Sequence, residues 1–307
     1  MIADTFAALG GVALALVLSP FLRTIIDRTK ARMAGRQGPP VLQPYWSLAR
    51  LLRKGAVYSS TTTWIFRAGP VVTLATILGA LCLVPFGGRP ALLHFEGDVL
   101  LMAYLLGLGR FFTILAALDT GSSFEGMGAN REAFFSALGE PALLLGVAGL
   151  GAITGSVSLS GIYGRIGTSA FLGAHMPAMI FILATFVIVY LTENARIPVD
   201  DPTTHLELTM IHEVMVLDHC GTDLAFIEYA GALKLWVLGL LITGLVFPVH
   251  TGSALLDACV TLACMFVLQI GVGLVESLVA RLKMGRTPLL LGIAFVMSAL
   301  WVMWVVR

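Results

Sequence analysis

Eight blocks of about 20 apolar residues, the length a helix needs to cross the hydrocarbon core of a bilayer, run through the chain. They cover about 4–26, 68–87, 98–118, 131–155, 172–193, 226–249, 254–276 and 288–306. In lipid every backbone N–H and C=O must be satisfied within the protein, and a helix does this alone. The expected fold is an all-α integral membrane protein of about eight transmembrane helices, one polytopic membrane domain over residues 1–307. These blocks raise the apolar share to 58%, above the roughly 45–50% of soluble domains. The start, "MIADTFAALGGVALALVLSP", holds Asp4 and no basic n-region, so it reads as a retained first helix.

Some classes are excluded. A net charge of +1 and the lack of basic runs interleaved with aromatics leave no case for a nucleic-acid partner. Cys82, Cys220, Cys259 and Cys264 form no C-x-x-C, and three of them lie in apolar blocks. They read as small buried hydrophobes. An iron–sulfur cluster needs closely set thiolates, so no cluster, metal or other cofactor is expected in this chain.

Bases mark the cytoplasmic side of a membrane protein. Nine of the 19 fall between Arg23 and Arg67, and Arg281, Lys283 and Arg286 come after the seventh block. The opposite loops hold only Arg89 and Arg165. This places both termini outside and three unusual loops inside. The first is a basic loop, 27–67. Its "GRQGPPVLQPY", with Arg36, is a proline-stiffened turn; its "WSLARLLRKG" sets leucines on one helical face and bases on the other, as in an amphipathic helix at the bilayer interface. The second is "LDTGSSFEGMGANRE", 118–132. The third, 193–225, is acidic.

That third loop opens with "ENARIPVDDPTTHLELTMIHEVMVLDH", which holds six of the 18 acids and one base, Arg196. Pro198 and Pro202 stop the preceding helix. A new helix is expected from "PTTHLELTMIHE", capped by Thr203 or Thr204. On it His205, His212 and His219 would share a face, but two turns separate neighbours by about 10.5 Å, too far for one ion. "HEVMV" also lacks the second histidine of H-E-x-x-H. Titratable groups near a pore mouth, or an acidic docking surface, remain as readings.

Three charges sit inside apolar blocks: Arg110, Glu140 and Lys234, each about eight or nine residues from a cytoplasmic end. At 1.5 Å per residue they lie roughly 12–14 Å deep. Charges at that depth face the bundle interior and pair. Either a structural ion pair or a proton relay would use them. Glu276 and Arg281 lie nearer water.

"ENARIPVDDPTTHLELTMIHEVM", "LDTGS-F-GMG-NRE" and "ARMAGRQGPPVLQPYWSLARLLRKG" together resemble the membrane subunit of complex-I-related, energy-converting NiFe hydrogenases of the hydrogenase-4 and formate hydrogenlyase type. That family includes the quinone-channel subunit of respiratory complex I, which shares E-x-x-R-x-P-x-D at Glu193, Arg196, Pro198 and Asp200. The resemblance covers about residues 28–288. It implies a non-catalytic subunit of a bacterial cytoplasmic-membrane oxidoreductase. Such a subunit anchors the hydrophilic large and small hydrogenase subunits, which carry the NiFe centre and iron–sulfur clusters, beside antiporter-like membrane subunits. The ion-coupling candidates are then Glu140, Arg110, Lys234, Glu193, Asp200, Glu207 and Glu228. The docking candidates are Arg131, Arg196, Asp201, Glu213 and Arg36. Thr203 and His205 stand where the complex I pattern has glutamates, which suits electron delivery to protons rather than to quinone. The competing readings are a quinone-site subunit and a free-standing ion transporter; no internal repeat of the transporter kind is visible.

Overall fold

The computed structural model describes residues 2–166, 169–201, 210–248 and 252–306, and for 2–4 and 169–177 the backbone alone. All its regular elements are helices. Seven are long and apolar enough to cross a membrane: α1 (Ile2–Met33), α3 (Trp64–Leu83), α4 (Asp98–Asp119), α5 (Ser123–Thr154), α8 (Gly221–Val246), α9 (Ala254–Leu278) and α10 (Thr287–Val306). The eighth expected span is α7 (Ser169–Glu193), of 25 residues, apolar over Ala178–Glu193, where its side chains are described. Two short helices complete the set, α2 (Gln43–Leu52) and α6 (Leu159–Ile166). The chain is a multi-pass membrane protein.

Several boundaries differ from expectation. α1 runs on to Met33, so the basic loop starts later than residue 27. The expected loop 118–132 shrinks to 120–122, because "SFEGMGANRE" is helical and opens α5. Glycine there serves close packing: a Cβ on Gly128 would collide with Val214 Cγ1 and lie 2.9 Å from the Ile211 carbonyl. The helix expected from Thr203 falls largely outside the described residues. Beyond them the chain makes one 3-10 turn, Glu213–Val216. His212 and His219 therefore share no helix face, and His205 lies outside the described residues.

α8 is the central helix, with 72% of its apolar window buried against 22–39% in the other spans. Leu233, Trp236 and Val237 are fully enclosed. α3 packs on α4 and α8, α1 on α8 and α9, and α10 on α5 and α7. Small residues permit the closest approaches. A Cβ on Gly149 would collide with Trp301 Nε1, and that indole N–H donates to the Gly146 carbonyl at 3.2 Å. Pro20 cannot donate to the Leu16 carbonyl one turn back. The Tyr229 hydroxyl donates to that oxygen at 2.8 Å, and the Tyr45 hydroxyl donates to the next one, of Val17, at 2.5 Å. The carbonyl that Pro20 leaves without a helical donor thus anchors α8, and its neighbour anchors α2.

The basic and acidic loops gather at one end of the bundle. There the Thr63 N–H donates to Asp119 at 2.6 Å, the Asp218 N–H to Glu125 at 3.1 Å, and His219 stacks on Phe66 at 4.0 Å. At the other end Asp98 accepts from Ser158 Oγ at 2.6 Å, and the Ala91 N–H donates to Ser160 Oγ at 2.9 Å.

Candidate functional site

The site grows from one charge. Arg110 sits midway along α4 and its side chain is 8% exposed. A buried guanidinium must be paired or it is very costly. Arg110 has three carboxylates. Nε lies 3.1 Å from Glu132 Oε1, Nη2 lies 2.5 Å from Glu193 Oε2, and Nη1 donates to Glu140. Glu132 and Glu140 are eight residues apart on α5, about 12 Å of rise, and the guanidinium bridges them. Glu193 is the last residue of α7. Lys234 of α8 places Nζ 2.7 Å from the same Glu193 oxygen. Four helices are joined by this network. The expected meeting of Arg110, Glu140 and Lys234 takes place through Glu193; Lys234 has no ion pair with Glu140.

His212 links the network to the acidic loop. Its Nε2 lies 3.2 Å from Glu132 Oε2 and its Nδ1 lies 3.6 Å from Asp200 Oδ2. Burial alone would lower its pKa, but the two carboxylates outweigh burial and push it up to about 10. Asp200 Oδ2 accepts the backbone N–H of Ile211 and of His212, each at 3.1 Å, and Oδ1 accepts Arg281 Nη2 at 3.0 Å. Burial would raise that carboxyl's pKa; His212 and Arg281 overcome it and hold it below the usual range. The result is a run of charged contacts from Asp200 through His212, Glu132 and Arg110 to Glu140 and Glu193.

A cavity of about 360 Å³ lies beside this run, walled by Arg23, Asp27, Thr76, Glu132, Glu193, Glu228 and Lys234, among others. Glu228 pairs with Arg23 at its wall. Glu213 also lines it; burial and then Glu228 raise its pKa. A second cavity, about 330 Å³, lies between α4, α5 and α7 and reaches Glu140, whose side chain is 44% exposed.

The docking candidates divide. Arg36 is exposed and Asp201 and Glu213 are half-buried. Arg196 is buried and Arg131 half-buried, and both contact other parts of the chain. Arg196 is 7% exposed and lies 3.4 Å from Glu276, which also meets Lys30 at 2.9 Å. Arg131 donates to the Met210 carbonyl at 2.8 Å. Both tie the acidic loop to the bundle. Glu207 lies outside the described residues. Glu132, His212 as a bridge, and the Lys30–Glu276–Arg196 cluster escape the sequence reading. Glu132 stands about two turns before Glu140 on the same face region of α5, a signal that emerges only once α5 is known to begin at Ser123.

Membrane-length helices packed around a charged interior define a polytopic membrane protein built to hold ionisable groups within the bilayer. The chain matches the family described as NADH dehydrogenase over residues 7–306 and belongs to it. It is 29% identical to formate hydrogenlyase subunit 4 of Escherichia coli (strain K12) over 283 residues, 89% of this chain and 91% of that one. It is 29% identical to hydrogenase-4 component C of the same organism over 306 residues, 97% and 95% of the two chains. These are relatives of the type that the sequence motifs indicate. The fold matches a chain of the membrane-bound sulfane sulfur reductase, an archaeal respiratory membrane complex, with a TM-score of 0.80 over 99% of both chains at 20% identity.

Proposed function

We propose that this chain is the membrane-arm subunit of a multi-subunit, membrane-bound NiFe hydrogenase in the bacterial cytoplasmic membrane. It anchors the hydrophilic large and small subunits, which hold the NiFe centre and iron–sulfur clusters, and it contributes a path for ion coupling beside antiporter-like membrane subunits. The observation that carries this reading is the unbroken run of charged contacts from Asp200 to Glu140. The run starts in a loop where a soluble partner can dock and ends at a half-exposed carboxylate in the transmembrane region. A charge change at the loop alters the field at His212, which alters Glu132, and so on inward; each step is a pair within about 4 Å, where low-dielectric coupling is strong.

The test is Asp200→Asn in the assembled complex. Hydrogen evolution and proton uptake in vesicles, each normalised to co-purified large subunit, should fall together, or the soluble arm should be released. Full normalised activity with normal co-purification would refute the reading. The 360 Å³ cavity favours a second reading, a quinone site. Turnover with a short-chain quinone in place of protons, blocked by Lys234→Met, would favour that alternative.

A further inference from the structure

α2 has one side against the protein and one side open. Tyr45, Leu48 and Leu51 are half-buried, and the Tyr45 hydroxyl fastens the helix to α1. The open side carries Trp46, 54% exposed, then Arg50, Arg53 and Lys54, all exposed. Trp46 and Arg50, at i and i+4, share one face of α2, while Arg53 is its C-cap and Lys54 follows its end. Leu42 and Leu52 flank this face at 50% and 52% exposure.

The three bases have no ion-pair partner among the described residues. Along the chain no acidic residue occurs between Asp27 and Glu96, and Asp223, on the part of α8 that Lys54 and Gly55 approach, acts on Tyr58 instead. Charge complementarity therefore calls for an anionic occupant. The exposed tryptophan and leucines call for one that also offers apolar surface beside its charge. A leaflet of anionic phospholipid meets both demands: tryptophan settles at the headgroup level, and basic amphipathic helices lie in that plane.

We propose that the Trp46–Arg50 face of α2, with Arg53 and Lys54 at its C-terminal end, is a binding site for anionic phospholipid headgroups on the cytoplasmic leaflet. Each base near an anionic surface strengthens attraction roughly fivefold, so three together enrich such lipids around α2. The site is independent of the proton path and holds whatever reaction the complex performs.

The full chain is reconstituted into vesicles that hold either brominated phosphatidylglycerol or brominated phosphatidylcholine at equal mole fraction. Quenching of Trp46 is read as the difference between the wild type and Trp46→Phe. Quenching should be at least about twofold more effective with the anionic lipid, and high salt should weaken the preference. The combined variant Arg50→Gln, Arg53→Gln, Lys54→Gln should abolish it. Equal quenching by both lipids, or a preference insensitive to salt and to the triple substitution, would overturn the proposal. So would loss of all Trp46 quenching in the assembled complex, which would assign the face to another protein subunit.

Discussion

Lys234 Nζ stands 2.7 Å from Glu193 Oε2, the same oxygen that Arg110 Nη2 reaches at 2.5 Å. Two cations from α8 and α4 thus share one carboxylate at the end of α7. Glu193 is the hub, and the helices that meet there are held by opposite charges.

Removing one partner from such a group strands the rest, at a cost of about 3–5 kcal/mol for a buried pair. Glu193→Gln should therefore lower thermal stability of the purified chain sharply, and Lys234→Met likewise. The double variant should be less damaged than the sum of the two, with a coupling of about 1–3 kcal/mol. Thermal unfolding in detergent, followed by circular dichroism, measures it. Strictly additive losses would show that the two residues do not share the interaction.

His212 gives the site a pH signature. Its folded-state pKa, pushed up to about 10, lies above the ordinary value of 6.5. A raised pKa stabilises the fold while the group is charged. The contribution is complete below pH 6.5 and is lost as pH rises toward 10. Wild-type stability should thus decline across that window. Glu132→Gln removes one of the two carboxylates that hold the proton, so it should flatten the decline. Melting temperatures at intervals between pH 6 and pH 10 test this; parallel curves for the two proteins would contradict it.

Gly128 should be intolerant of even a methyl group. A Cβ there would collide with Val214 and lie 2.9 Å from the Ile211 carbonyl, so α5 or the acidic loop would have to shift. Gly128→Ala should cost about 1–3 kcal/mol, the range for overpacking. Gly126→Ala, two residues away with open space around it, should be neutral or mildly stabilising, because alanine favours a helix over glycine. Equal behaviour of the two variants in a thermal melt would remove the packing argument.

The same glycine marks what the sequence can disclose. The spans are readable because lipid demands long apolar runs. Arg110, Glu140 and Lys234 are readable because a charge inside such a run stands out. Glu132 is hidden, because "GMGANRE" is polar and glycine-rich and looks like a loop. It is helical, and one of its glycines, Gly128, admits the loop that carries Val214. The His212 bridge is hidden for a second reason. Asp200 and Glu132 lie 12 and 80 residues from His212 in sequence, and only the folded chain brings them to one imidazole.

Glu140 decides between a relay and a brace. It pairs with Arg110, but its side chain is 44% exposed toward the second cavity, whereas Glu132 and Glu193 are at 8%. A brace gains most from enclosure; a relay needs a route out. Pro141, next to it, weakens the local hydrogen-bond ladder of α5. Glu140→Gln keeps shape and hydrogen bonding and cannot carry charge. Arg110 would still hold Glu132 and Glu193, so the chain should fold and the complex should assemble. As a relay, Glu140→Gln should cut proton-coupled hydrogen evolution per assembled complex at least about tenfold, equal to about 1.4 kcal/mol in barrier height. Glu140→Asp, which keeps the carboxylate, should recover part of it. As a brace, the first variant should lower the amount of complex and leave activity per complex near normal. Hydrogen evolution and proton uptake in the same vesicles, normalised to assembled complex, separate the two, and unchanged normalised values would end the relay assignment.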